Sequence, residues 1–160
     1  ALGGDVSGKT IGVLGLAFKQ NTDDMRDAPS LDIVPALTEA GAKVQAFDPE
    51  SMTDASHLLN GIDYADNAYD AANGADAVVI VTEWDQFRAL DLDRLKSSKK
   101  GDVLVDLRNI YEPAHRARAF LVPIGVSSAR LDQARSFAAC ACRTLTTHRC
   151  HRANHLGLRL

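Results

Sequence analysis

No stretch of the chain stays apolar over the roughly 18 residues that a membrane-crossing helix requires. A helical membrane anchor within these residues is therefore excluded. The opening residues, Ala1-Leu-Gly-Gly-Asp-Val-Ser-Gly-Lys9, lack a signal peptide's charged start and apolar middle, so the expected location is cytoplasmic. There is no initiator Met, and the first strand pattern begins only at Thr10, which suggests a fragment of a longer polypeptide. No cysteine precedes Cys140. Neither G-x-G-x-x-G nor a complete Walker sequence occurs, so the two commonest glycine-rich phosphate loops are missing. Before residue 126 there is no internal repeat and no low-complexity linker.

What is present suits one soluble domain with an appendage. The chain has 160 residues, of which 46% are hydrophobic and 24% charged. A core of that size buries roughly two thirds of the unfolded surface. Charge divides unevenly. Residues 1–126 hold 12 Lys and Arg against 20 Asp and Glu, a balance of −8. Residues 127–160 hold six Arg against the single Asp132, a balance of +5, with no lysine and all three cysteines. We therefore expect a domain over 1–126 and a tail of irregular structure over 127–160. The acidic body argues against nucleic acid as a partner.

Along the body, strand and helix patterns alternate. Strands are expected at 10–16, 43–47, 62–64, 77–81, 102–107 and 120–126. The continuous β-branched run Ala77-Val-Val-Ile-Val81 marks a strand buried on both faces. Helices are expected at 31–40, 53–59, 67–72, 92–97 and 113–119, with Ser30 as a cap and Gly41 as a stop for the first. Pro35 lies inside that first pattern and predicts a late start or a kink. Alternation of this kind implies a doubly wound parallel sheet in three α/β/α layers, a Rossmann-like fold.

In such sheets, ligands bind beyond the carboxyl ends of the strands. Gly12-x-x-Gly15 sits where the first strand turns, and close packing explains Gly12 as well as a phosphate does. Lys19, beyond the same strand, is either a solvated lysine or a cation for a phosphate or sugar hydroxyl. Asp106-Leu-Arg108-Asn109 ends another buried strand, so Arg108 emerges at the same edge. Two cations converging there suit a diphosphate. Thr22-Asp-Asp-Met-Arg-Asp27 sets three acids beside Arg26. They are either helix-start acids with a locally paired arginine, or they hold an arginine for a phosphate or cofactor. Trp84 reads as a packing residue rather than a base-stacking platform.

The run Gly15-Leu-Ala-Phe-Lys-x-Asn-Thr-Asp-Asp-Met-Arg-Asp-Ala-Pro-Ser30 resembles the signature of the UDP-glucose/GDP-mannose dehydrogenase family, in its C-terminal domain. Gly41-Ala-x-Val-x-Ala-Phe-Asp-Pro49, Ala75-Asp-Ala-Val-Val-Ile-Val-Thr-Glu-Trp84 and Asp106-Leu-Arg-Asn-Ile-Tyr111 extend the likeness from about Gly8 to Gly125. It is nearest to the bacterial members that oxidise UDP-glucose. The resemblance implies a UDP-sugar-binding domain that works with an N-terminal NAD-binding domain, with NAD as cofactor and a homo-oligomeric full-length protein. Substrate would be bound by Phe18, Lys19 and Arg108, and Arg26 would reach the NAD held by the other domain. The family's NAD fingerprint and its cysteine-containing catalytic loop have no counterpart here. No catalytic residue is therefore assigned to this chain, which by itself is expected to be inert.

In the tail, Cys140, Cys142, Cys150, His151 and His155 fit no standard zinc spacing, so no metal site is expected. The tail is either native or out-of-frame read-through. Two other functions compete. A stand-alone nucleotide-sugar module would lack an upstream Rossmann domain. A response-regulator-like domain would need a lysine where Arg108 stands and an acceptor aspartate, for which there is no convincing candidate.

Overall fold

The structure, a computed structural model, describes Leu2, residues 5–111 and the strand Phe120–Pro123. Six parallel strands form one sheet in the order β3-β2-β1-β4-β5-β6. They are β1 (Thr10–Leu14), β2 (Lys43–Phe47), β3 (Asp63–Tyr64), β4 (Ala77–Ile80), β5 (Val103–Asp106) and β6 (Phe120–Pro123). The helices are α1 (Ser30–Glu39), α2 (Met52–Leu58), α3 (Ala68–Ala72), α4 (Asp85–Arg88) and α5 (Leu92–Ser98). This strand order is that of the Rossmann fold. It differs from the 2-1-3-4-5 order of response regulators, which removes that alternative.

The pleat sorts the apolar residues into two cores. Leu14, Val78, Ile80 and Leu104 pack with Ala71, Phe87 and Leu95 on the side of α3, α4 and α5. Ile11, Val13, Val44 and Ala77 pack with Val34 and Ala55 on the side of α1 and α2. Successive residues of β1 thus serve opposite faces, as period-two geometry requires. Gly12 lies within β1, under α3. A Cβ there would stand 2.6 Å from the Ala71 carbonyl oxygen. The glycine lets an alanine-rich helix lie close on the sheet, which is the packing reading of this position.

Several local expectations change. Ser30 begins α1 instead of capping it. Pro29 is the N-cap and makes no side-chain cap bond, while the Ser30 hydroxyl turns inward. The late start predicted from Pro35 is absent, and α1 runs unbroken from Ser30 through Pro35. The short helix α4 is additional to the sequence reading. No helix follows Gly15 directly. Residues 15–29 form an irregular connection, and the acids of 22–27 lie within it rather than in a helix's first turn. Helix 113–119, the boundary near Val126 and the tail with its cysteines and histidines lie outside the described residues.

Candidate functional site

Strand order reverses between β1 and β4, and a crevice opens at such a point beyond the carboxyl ends. Gly15 directly follows β1 at this point with φ +89°, a conformation natural to glycine. Its N–H donates to the Phe47 carbonyl at 2.8 Å. A Cβ on Gly15 would lie 2.6 Å from Thr82 Cβ and 2.7 Å from Thr82 N. The segments following β1 and β4 therefore touch across this one residue.

From Leu16 to Phe18 the backbone runs irregularly, yet each of its polar groups has a partner. Leu16 N–H and Ala17 N–H both donate to Asp48 Oδ2, at 2.7 and 3.1 Å. The Ser30 hydroxyl donates to the Leu16 carbonyl, and the Thr82 hydroxyl to the Ala17 carbonyl at 2.6 Å. Phe18 N–H donates to the Asp24 carbonyl at 2.9 Å. Asp48, Ser30 and Thr82 are each fully buried. With its backbone so held, the segment turns Phe18 outward, 45% exposed, with Lys19 exposed beside it.

Arg108 arrives from the end of β5. Its Nε donates to the Val81 carbonyl at 2.8 Å, and its Nη2 donates to the Phe18 carbonyl at 3.4 Å. Glu83 Oε2 lies 3.0 Å from the same Nε. The guanidinium is half-buried and bridges the segments after β1 and β4. Arg108 and the Phe18–Lys19 segment thus meet at one edge, the edge at which the strand pattern places Lys19 and Arg108. Trp84 is buried, and its Nε1 donates to Asp48 Oδ2 at 3.1 Å. It packs, and offers no stacking face.

Arg26 stands apart from that group. Its Nε and Nη2 pair with both oxygens of Asp24 at 2.9 and 2.8 Å. Those hydrogen bonds, above all, hold the Asp24 carboxyl down at about 2, and the charge of Lys19 adds to the effect. Arg26 therefore pairs locally, yet its side chain remains 89% exposed. It borders an open depression shared with Met25, Leu31, Asp54, His57 and Leu58, on the side of α1 and α2.

Asp48, Ser30 and Thr82 were not recognised as site-forming from sequence. The available signal was an acid ending a buried strand just before Pro49. Burial alone would raise the Asp48 pKa. Four backbone N–H groups, those of Ser51, Leu16, Glu50 and Ala17, outweigh it and hold the carboxyl below its usual range. Among the described residues no group of three or more His, Cys, Asp or Glu is placed to hold a metal ion, and none of their helices is long and apolar enough to cross a membrane.

Chemically, the crevice offers two cations and an exposed aromatic ring, and no helix begins at Gly15 to receive a phosphate. Any diphosphate here is met by side chains rather than by a helix dipole. Strand order and sheet direction together define a Rossmann-type α/β domain. The match to known proteins is specific. Residues 12–113 fit the model of the UDP-glucose/GDP-mannose dehydrogenase family, UDP binding domain, and the chain belongs to that family. It is 60% identical over 111 residues to the UDP-glucose 6-dehydrogenase of Rhizobium meliloti (strain 1021), covering 69% of this chain and 25% of that protein. To the UDP-glucose 6-dehydrogenase TuaD of Bacillus subtilis (strain 168) it is 43% identical over 109 residues, covering 68% of this chain and 24% of the relative. Among solved structures, a UDP-glucose dehydrogenase from Pyrobaculum islandicum superposes with a TM-score of 0.57 at 36% identity, covering 64% of this chain and 22% of that one. The chain thus spans about a quarter of the length of these relatives.

Proposed function

We propose that residues 1–126 form the nucleotide-sugar half of the active site of an NAD-dependent UDP-glucose 6-dehydrogenase. The whole enzyme would oxidise the sugar's C6 alcohol to a carboxylate, consuming two NAD+ and one water and releasing two NADH and three protons. In this reading Lys19 and Arg108 take the diphosphate and sugar oxygens, and Phe18 packs against the ligand. Arg26 faces NAD held by an N-terminal domain outside this chain. The residues that perform the oxidation belong to that missing part, which would also build the homo-oligomer.

One observation supports this most directly. Arg108, from β5, and the Phe18–Lys19 segment, from β1, meet at the point where strand order reverses. Each cation makes charge-assisted hydrogen bonds to a phosphate or sugar oxygen, so removing either costs about 1.5–3 kcal/mol of binding. Lys19→Ala and Arg108→Ala, each placed in a full-length enzyme, are expected to lower kcat/KM for UDP-glucose roughly tenfold to a hundredfold. Unchanged kinetics in both would remove them from the site. As a control, the 160-residue chain with UDP-glucose and NAD+ should yield no NADH, and clear turnover would place oxidising residues within it.

A further inference from the structure

We propose that Asp48 is a positioning residue for the nucleotide-sugar site, holding the Leu16–Ala17 backbone so that Phe18 and Lys19 face the ligand. This rests on the UDP-sugar reading above. Asp48 directly follows β2, where dinucleotide-binding Rossmann domains carry the acid that hydrogen-bonds a ribose hydroxyl. Here that acid faces inward. Oδ2 accepts from Leu16 N, Ala17 N and Trp84 Nε1, and Oδ1 accepts from Glu50 N and Ser51 N. The side chain is fully buried, and both oxygens are committed. No ribose can reach it.

The five donors come from three places: the segment after β1, the segment after β4, and the turn that leads from β2 into α2. One carboxylate thus ties together three strand ends at the ligand edge. Ala17 and Phe18 are consecutive, so a change in the Ala17 amide plane re-aims the Phe18 side chain and carries Lys19 with it. Thr82 and Ser30 fix the carbonyls of the same two residues, but each does so with one bond. Asp48 alone holds both N–H groups.

Trp84 is the only tryptophan in the chain, and its indole N–H points at this carboxylate. Its indole N–H resonance therefore reports the Asp48 interaction without a label at the site. Asp48→Asn keeps size but has one carbonyl oxygen, so one donor set must meet an NH2 group. In the 160-residue chain this variant is expected to move the Trp84 indole signal and the Phe18 and Lys19 amides, and to weaken UDP binding about tenfold. Ile11→Ala, a cavity near the amino end of β1 and so at the opposite end of the strand from the ligand edge, serves as the stability control. It should lower Tm with UDP affinity unchanged. A folded Asp48→Asn protein that binds UDP as the wild type does would overturn the proposal. Should Asp48→Asn fail to fold, Trp84→Phe removes one donor and leaves the charge. About threefold weaker UDP binding with displaced Leu16 and Ala17 amides supports the proposal, and wild-type affinity with unmoved amides overturns it. If the wild-type chain does not bind UDP at millimolar concentration, the UDP-sugar reading is decided by the full-length kinetics of Lys19→Ala and Arg108→Ala. The positioning role is then decided by the Phe18 and Lys19 amides of either folded variant, and unmoved signals overturn it.

Discussion

Gly15 shows how much of the site depends on single atoms. It has no Cβ, its φ is +89°, and Thr82 backbone and side-chain atoms occupy the space a Cβ would need. Gly15→Ala therefore combines left-handed strain with a clash against backbone, which has little freedom to retreat. The expected loss is about 2–4 kcal/mol, from roughly 1–3 for overpacking plus about 1 for the backbone conformation. Urea unfolding with an unchanged slope and a lower midpoint would show it. A loss under about 0.5 kcal/mol would mean the two segments do not touch as described. Lys19 and Arg108 at this edge were legible from sequence because they are charged and follow apolar strands, whereas Phe18 entered only through the family resemblance. Asp48 was not legible. An aspartate before proline reads as a turn, and its hydrogen bonds to Leu16 and Trp84 are set by chain segments distant in sequence.

At the scale of elements, the shortest helices depend most on their ends. Helix α3 is a five-residue piece lying across Gly12, too short to persist by propensity. Asn67 closes its start: Oδ1 accepts from Tyr69 N and Asp70 N, both at 3.0 Å. Asn67→Ala should cost about 1 kcal/mol, seen as a lower Tm, and Asn67→Asp or Asn67→Ser should restore most of it. Equal Tm for the alanine and serine variants would show that packing, not capping, defines the start of α3. Asn67 and the alanines after it were readable as a helix start. The place of Ser30 was not, because a serine before an apolar stripe signals a cap. Here the peptide at Leu16 offers its hydroxyl a buried acceptor instead.

At the scale of the molecule, a buried lysine among the described residues sits against the grain of the core. Lys99 is buried where α5 hands over to β5, and its Nζ donates to the Val103 carbonyl at 3.0 Å. Burial lowers its pKa to about 8 from 10.5, with Asp102 opposing the shift. Between those values the unfolded chain binds more protons than the folded one, so this group makes stability rise with pH from about 8 toward 10.5. Below 8 both states are protonated and the cost is constant. The half-buried phenol of Tyr64 and the buried phenol of Tyr111, both raised by desolvation, act the other way above pH 10. Lys99→Met is therefore best compared with the wild type between pH 8 and 10. The variant should be the more stable at pH 8, and its advantage should shrink as pH rises. A constant difference would show that Lys99 ionises normally in the fold.

Sequence by itself determined the fold class, the family and the charged motif that follows the first strand. Strand burial, helix stripes and the run from Gly15 to Ser30 are local patterns, and local patterns survive without coordinates. Tertiary structure alone decided how that run is held. Leu16 and Ala17 take their shape from Asp48, Ser30 and Thr82, which reach them from three other elements. An irregular backbone has no ladder or helix to satisfy its polar groups. Its partners must come from elsewhere in the fold, and no window of sequence contains them.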